Sequence, residues 1–277
     1  MEEITSVSSS TVKRLVLLRQ KASKRRQSQS FLIEGDRLVL DTPTEYLEEI
    51  YLTGRALERV GDELKAKGLE GRTTLFSEEA MEKAADTKTP QGILAVARQP
   101  VYTMEEVLKA GADGTNPLFL LLEDIQDPGN LGTMFRTAEA AGANGIILSK
   151  GTVDVFNPKV VRSTMSSIFR MPFVYVSDLT ETVETLQNKG IAVYAASLEG
   201  SVPYTEADYL GACGIAIGNE GNGLTPETQR AARGRVRIPM AGKIESLNAA
   251  MSAGILLYEA ARQRASAATL SQADARI

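Results

Sequence analysis

The stretch that decides the fold is Leu118-Phe-Leu-Leu-Leu122-Glu-Asp-Ile-Gln-Asp127-Pro-Gly-Asn130-Leu-Gly-Thr-Met-Phe-Arg136. Five consecutive apolar residues, a polar turn containing Pro and Gly, and a helical segment read as a strand buried on both faces that feeds a loop and a helix. The same grammar repeats downstream. Strands are expected at Gly145–Leu148, Phe173–Val176, Ile191–Ala195, Gly214–Ile217 and Arg235–Ile238, separated by helical segments, which predicts a mostly parallel sheet covered on both faces. A long helix rich in Ala and Leu, Ser246–Arg264, closes the series, and residues 265–277 read as a frayed tail.

Upstream the alternation is weaker. Strands are expected at Phe31–Gly35, Glu49–Leu52, Thr73–Phe76 and Gly92–Ala97, with helices starting at Arg37 and covering Leu57–Lys67 and Glu78–Ala85, a small α/β layer domain over residues 1–99. Residues 100–116 read as a linker, because Pro100, Gly111 and Gly114 flank a short helical segment, Met104–Ala110. The second domain then spans residues 117–264.

Composition limits the chemistry. Among 277 residues there is no His, no Trp and one Cys. No Ser-His-Asp or Cys-His arrangement, no His-ligated zinc, no Cys-rich metal site and no disulfide framework can be built, so no metal is expected. No apolar run approaches the roughly 20 residues that span a bilayer, and Met1-Glu2-Glu3-Ile4 is not the start of a signal peptide, so a soluble cytoplasmic protein is expected. The net charge of −4 hides a local basic block. Between Glu3 and Glu34 there is no acid, while Lys13, Arg14, Arg19, Lys21, Lys24, Arg25 and Arg26 all occur there. Its first half, Thr11–Leu18, has helical spacing behind Ser8, Ser9 and Ser10 as possible caps. The block reads either as a solvated helix and loop or as a phosphate-contacting edge.

Three clusters put Gly and polar residues at the carboxyl ends of expected strands, where open α/β sheets bind ligands. The first is the turn Glu123–Gly132, whose backbone N–H groups at a helix start suit an anion. Arg136 follows in the helix, where the macrodipole gives no reason for a cation. The second is Ile217-Gly218-Asn-Glu220-Gly-Asn-Gly223, which departs from a dinucleotide-binding glycine fingerprint in its late position, its internal Glu and the fresh helix start at Thr225-Pro226. The third is Ile238-Pro-Met240-Ala-Gly-Lys-Ile-Glu-Ser246-Leu247-Asn248, with Ser246 as the expected N-cap and Asn248 in the first helical turn.

In order, these clusters resemble the three motifs of the SpoU/TrmH family of RNA ribose 2′-O-methyltransferases, in the SPOUT superfamily. The resemblance covers essentially the whole second domain. The first domain is similar, more loosely, to the ribosomal-protein-like substrate-binding domain of many members, through Arg25-Arg26 and Phe31-Leu-Ile-Glu-Gly-Asp-Arg37. The resemblance implies a C-terminal deep trefoil knot, a homodimer, and S-adenosylmethionine as cofactor at Gly218, Ile238, Met240 and Leu247. It further implies Asn130, Arg136, Glu220, Ser246 and Asn248 as the polar residues facing the ribose and the methyl group. A guanidinium is a poor base. Arg136 is therefore expected to clamp the phosphate beside the target ribose, with Glu220 or a phosphate helping to accept the proton. Arg14, Lys24, Arg25, Arg26 and Arg37 are the expected RNA contacts. Arg233, Arg235 and Arg237 lie on one side of an extended segment and either touch RNA or protect an edge strand.

The expected function is 2′-O-methylation of a guanosine in 23S rRNA, with transfer RNA as the alternative substrate. Two other classes compete: a non-catalytic RNA-binding protein, and a nicotinamide-dependent oxidoreductase using the glycine-rich loop.

Overall fold

Short apolar runs become strands close to where the sequence places them. The computed structural model describes residues 3–109 and 116–274, with side chains through residue 269, and its chain divides into two units. Gly111 and Gly114 of the expected linker, and residues 275–277 of the expected tail, lie outside the described residues.

The first unit is Met1–Pro100 together with Asp154–Phe169. Its strands are β1 (Glu3–Ile4), β2 (Ser30–Glu34), β3 (Leu47–Leu52), β4 (Thr73–Phe76) and β5 (Ile93–Arg98), in the order β1-β4-β3-β5-β2. The β1–β4 and β4–β3 pairs are parallel, whereas β5 runs antiparallel to both β3 and β2. Val12, Leu15 and Leu18 form the buried stripe of the helix Ser10–Gln20, against Leu32, Phe76, Met81, Leu94 and Val96. Ser9 caps that helix, accepting from Val12 N at 3.2 Å. On β2, Phe31 meets Phe156 at 4.9 Å and Phe169 at 5.8 Å between ring centroids, and the helix Pro158–Thr164 packs on the same strand.

Three of the seven cations of the basic block, Arg14, Arg19 and Arg25, are bound within this unit, and Lys13, Lys21, Lys24 and Arg26 are exposed. The second half of the block is a helix, Ala22–Ser28, and not the loop of the helix-and-loop reading. Arg25 is only 3% exposed; its Nε and Nη2 donate to Asp154 Oδ2 at 2.9 and 2.6 Å, and its Nη1 donates to the carbonyls of Leu18 and Arg19. The expectation that Arg25 contacts RNA is therefore corrected: a guanidinium with four internal hydrogen bonds, removed from solvent, has nothing to offer a phosphate. Arg19 donates to the carbonyls of Lys83, Ala84 and Ala85, closing the end of the helix Glu78–Ala84. Arg14 is paired with Glu49 and Tyr51. Lys24, Arg26 and Arg37 remain exposed.

The second unit is Val101–Val153 with Arg170–Ile277. It holds β6 (Leu118–Leu122), β7 (Gly145–Ser149), β8 (Phe173–Val176), β9 (Ala192–Ala196), β10 (Val202–Pro203), β11 (Cys213–Ile217) and β12 (Gly234–Arg237). The order is β10-β12-β9-β11-β6-β7-β8, and every neighbouring pair is parallel. The residues of β6, β7 and β11 are all buried, the signature of strands covered on both faces. Strand β10 occupies the edge, so β12 with Arg235 and Arg237 is not the edge strand the alternating arginines suggested. The last helix runs Ala249–Asp274, past Arg264 into the expected tail. Arg264 is itself one reason the helix stays docked, donating to the carbonyls of Tyr209, Gly211, Asn116 and Pro117.

The chain winds from β6 outward through β7 to β8, then restarts at β9 on the far side of β6 and inserts β11 between them. The carboxyl ends of β6 and β11 thus meet where the winding reverses, the place at which open α/β sheets bind ligands.

Candidate active site

The turn after β6 is tightly organised. Asp124 takes a left-handed conformation (φ 53°), tolerated because its backbone N–H donates to Ser149 Oγ at 2.8 Å and its carboxylate accepts from the same hydroxyl at 2.6 Å. Asp127 caps the helix Pro128–Ala140, accepting from Asn130 N at 2.8 Å, and Pro128 fills the first position where no N–H is needed.

The loop after β11, Gly218–Leu224, folds back on itself. A Cβ at Gly218 would lie 2.0 Å from the carbonyl carbon of Gly223, so only glycine fits, for an intraloop reason and not only for access by a ligand. Asn219 binds across to the first loop, Nδ2 donating to Asp124 O at 2.8 Å, while its Oδ1 accepts from Gly221 and Asn222 N–H.

Glu220 joins the two loops. Its carboxylate accepts from Gln126 N (3.1 Å), Asp127 N (3.0 Å) and Asn130 Nδ2 (3.0 Å). Burial would raise this carboxyl, but hydrogen bonds from the Asn130 amide and from the Gln126 and Asp127 backbone override it, and Glu220 is held below the ordinary carboxylate range. Two consequences follow. The Gln126 and Asp127 N–H groups, two of those expected to receive an anion, are occupied by Glu220, and the Asn130 N–H is occupied by Asp127. Glu220 is also an anion of weakened basicity, better suited to orienting Asn130 than to taking a proton.

The third loop joins through Asn248, whose Nδ2 donates to Asn130 Oδ1 at 2.9 Å. Its Oδ1 accepts from Ala250 N and Met251 N, which makes Asn248 the cap of the last helix. Ser246, the expected cap, stays in the exposed loop, because the helix begins at Ala249. A chain of three side chains, Glu220–Asn130–Asn248, therefore ties the three loops together. Because a carboxylate only accepts, Asn130 must present its nitrogen to Glu220 and its oxygen to Asn248, which fixes both amides.

Arg136 is elsewhere on its helix. At 100° and 1.5 Å per residue it stands about 120° around the axis from Asn130 and about 12 Å beyond Pro128. It is exposed and pairs with no acid among the described residues. The structure brings Asn130, Glu220 and Asn248 together and leaves Arg136 out of their network.

Beside the network lies a cleft of about 550 Å³, within the roughly 300–1,000 Å³ of small-molecule sites. Gly218, Ile238, Met240, Ser246 and Leu247 all line it. Ile217, Leu224, Val236 and Leu256 add apolar wall, and the charged lining is Glu199, Glu220 and Glu245 against the single cation Arg237. Such a lining suits a ligand with a flat apolar ring and cationic groups. Sequence reasoning missed the opposite wall, Ser197, Leu198 and Glu199 after β9, although the carboxyl-end rule that found the other loops applies there equally. Arg235 and Arg237 donate to the carbonyls of Glu199 and Ser201 and so tie β12 to the loop that carries this wall.

Two family descriptions match the chain: the SpoU rRNA Methylase family over residues 117–258 and an MRM3-like substrate binding domain over residues 9–95. The 23S rRNA (guanosine(2553)-2′-O)-methyltransferase of Bacillus subtilis is 36% identical over 261 residues, which is 93% of this chain and 98% of that protein. Two solved structures are similar throughout. The AdoMet-bound rRNA methyltransferase from Sinorhizobium meliloti is 34% identical, with a TM-score of 0.80 over 95% of this chain and 98% of the other. The SpoU methyltransferase AviRb from Streptomyces viridochromogenes, in complex with AdoMet, is 28% identical, with a TM-score of 0.79 over 93% and 99%.

Proposed function

We infer the function from one premise: the chain belongs to the SpoU rRNA methylase family. It is an RNA ribose 2′-O-methyltransferase that uses S-adenosylmethionine. We propose a guanosine of 23S rRNA as the target, since relatives similar over nearly the full chain bear that name.

The observation that carries the mechanism is the Glu220–Asn130–Asn248 chain of hydrogen bonds beside the cleft. S-adenosylmethionine supplies an electrophilic methyl group, so the protein needs to place a hydroxyl and manage one proton. Gly218, Ile238, Met240 and Leu247 would hold the cofactor, largely through main-chain groups and apolar contact, with the surrounding carboxylates matching its positive charge. Asn130 and Asn248 each spend one amide N–H on the chain and keep a second for the ribose oxygen as charge develops on it. Glu220 fixes their orientation. Arg136 clamps the RNA phosphate next to the target ribose, and that phosphate or water takes the proton.

Several finer readings go with this function. We assign residues 1–99 to RNA substrate binding, 100–116 to a linker and 117–264 to a methyltransferase domain with a trefoil knot. Lys24, Arg26 and Arg37, exposed in the first unit, are the RNA contacts we retain. A homodimer is supported by Met251 and Tyr258, 60% and 54% exposed on one face of the last helix, which packs on the helix carrying exposed Thr133, Arg136 and Ala140. In such a dimer Arg136 serves at the shared face. Ribosomal RNA as substrate implies a cytoplasmic location.

The test is methyl transfer from labelled S-adenosylmethionine to 23S rRNA and to transfer RNA, with the product mapped by its resistance to alkaline cleavage. Label in a base, or only in transfer RNA, overturns the proposed target.

A further inference from the structure

The two walls of the cleft come from different crossovers, Ser197–Glu199 after β9 and Gly218–Leu224 after β11. One side chain grips both. Gln229, half-buried on the helix Pro226–Ala231, accepts from Ser197 Oγ at 2.8 Å through its Oε1 and donates to Leu224 O at 2.9 Å through its Nε2. The carbonyl of Leu224 can only accept, which fixes the amide: nitrogen toward one wall, oxygen toward the other.

The helix beneath Gln229 is anchored independently. Glu123, 7% exposed at the end of β6, accepts from Thr225 N (2.7 Å) and Thr225 Oγ1 (3.0 Å) and from Thr228 Oγ1 (2.7 Å). Thr180 Oγ1 lies 2.9 Å from Thr228 Oγ1 and extends this buried cluster. A buried carboxylate demands such partners, so the start of the helix is fixed whether or not Gln229 is present. Both hydrogen bonds of Gln229, by contrast, end on residues that line the cleft, as Gln229 itself does. Non-additivity with Ser197→Ala is therefore what separates setting the walls from touching the ligand.

We propose that Gln229 is a cofactor-positioning residue, setting the separation of the Ser197–Glu199 and Gly218–Leu224 walls and thereby the fit of S-adenosylmethionine between them. The proposal rests on the reading of this cleft as the cofactor site. It predicts a loss of binding that is separable from stability, because the helix anchor survives the loss of the amide.

The experiment is calorimetric titration of the full-length protein with S-adenosylmethionine, alongside steady-state methylation and thermal melts, for four single variants and one double variant, Ser197→Ala with Gln229→Ala. Gln229→Ala should raise Kd and KM for the cofactor about tenfold, the scale of two modest hydrogen bonds, with kcat within about twofold and an almost unchanged Tm. Gln229→Met keeps the length and neither hydrogen bond, and should bind as weakly; wild-type binding by it would mean that packing sets the walls and would overturn the proposal. Ser197→Ala should weaken binding alone but add little on top of Gln229→Ala, and full additivity would overturn the coupling of the walls. An unchanged Kd in Gln229→Ala, or a large fall in Tm with parallel loss of kcat, also overturns it. Ile238→Arg, which puts a long cation into the cleft, should abolish cofactor binding. If it binds as wild type, the cleft reading itself fails, and that failure is visible whatever Gln229→Ala does.

Discussion

The basic segment Lys13–Arg26 and the motif that runs from β6 to Arg136 treat an arginine in opposite ways. In the first, Arg25 is enclosed, bonded to Asp154 and to two carbonyls, and Arg19 is spent on the end of a helix. In the second, the amides and carboxylates satisfy one another and Arg136 is left exposed, without an acidic partner among the described residues. A cation that the fold consumes stabilises the fold; one that the fold leaves over is available to a ligand. Charge counted along a sequence does not separate the two.

The largest effect that could break this comparison concerns Arg25. Arg25→Ala strands the carboxylate of Asp154, and chemical denaturation should show a loss of about 3 kcal/mol, whereas Arg26→Ala should change stability by less than about 0.5 kcal/mol. Equal losses would mean that burial does not distinguish these neighbours. Next comes Arg136→Lys: single-turnover methylation should slow about 100-fold or more while the cofactor Kd stays within about twofold. Near-normal turnover would make Arg136 another surface charge and erase the contrast.

Asn248→Ala removes a helix cap and the partner of Asn130 together. Stability should fall by about 1 kcal/mol, with a fall in kcat larger than that in cofactor affinity, read from melts and kinetics on the same preparation. A smaller effect is expected from Lys24→Ala combined with Arg26→Ala, which should flatten the salt dependence of RNA binding by a slope of about 2 without altering the melt. An unchanged slope would remove the first unit from the electrostatic footprint.

The subtlest test is in acid. The carboxyl of Glu220 is held below its ordinary value of 4.5, so its stabilising contribution is complete above that pH and disappears as the pH falls through the lowered value. Below about pH 4.5 the wild type should therefore lose stability more steeply than Glu220→Gln. The same lowering means that no limb of the pH–rate profile between about pH 6 and 9 belongs to Glu220. A limb in that range that vanishes in Glu220→Gln would return the proton to this carboxylate.

Legibility followed the length scale of each interaction. Runs such as Leu118–Leu122 announce buried parallel strands because every position is apolar, and β6 and β8 begin and end where the sequence puts them. The two-residue strands β1 and β10 carry no periodic signal and were invisible. The cap of the last helix was misplaced from Asn248 to Ser246, since both are good capping residues and only the path of the preceding loop chooses between them. Asn130, Glu220 and Asn248 stood out as polar residues in motif loops, but the order in which their amides point depends on distances across 118 and 90 positions of sequence. Ser197 and Gln229 carried no motif and emerged only as parts of the cleft.

The sequence by itself determined the class of fold, the restriction to chemistry without imidazole, and the three loops that would meet at one sheet edge, because these rest on residue type and local periodicity. Tertiary structure decided which cations remain exposed, which carboxylate joins two of the loops, and which side chain bonds to both walls of the cleft. Those outcomes depend on burial and on which donor finds which acceptor across the fold, and solvation and hydrogen-bond direction exist only once distant segments are in contact.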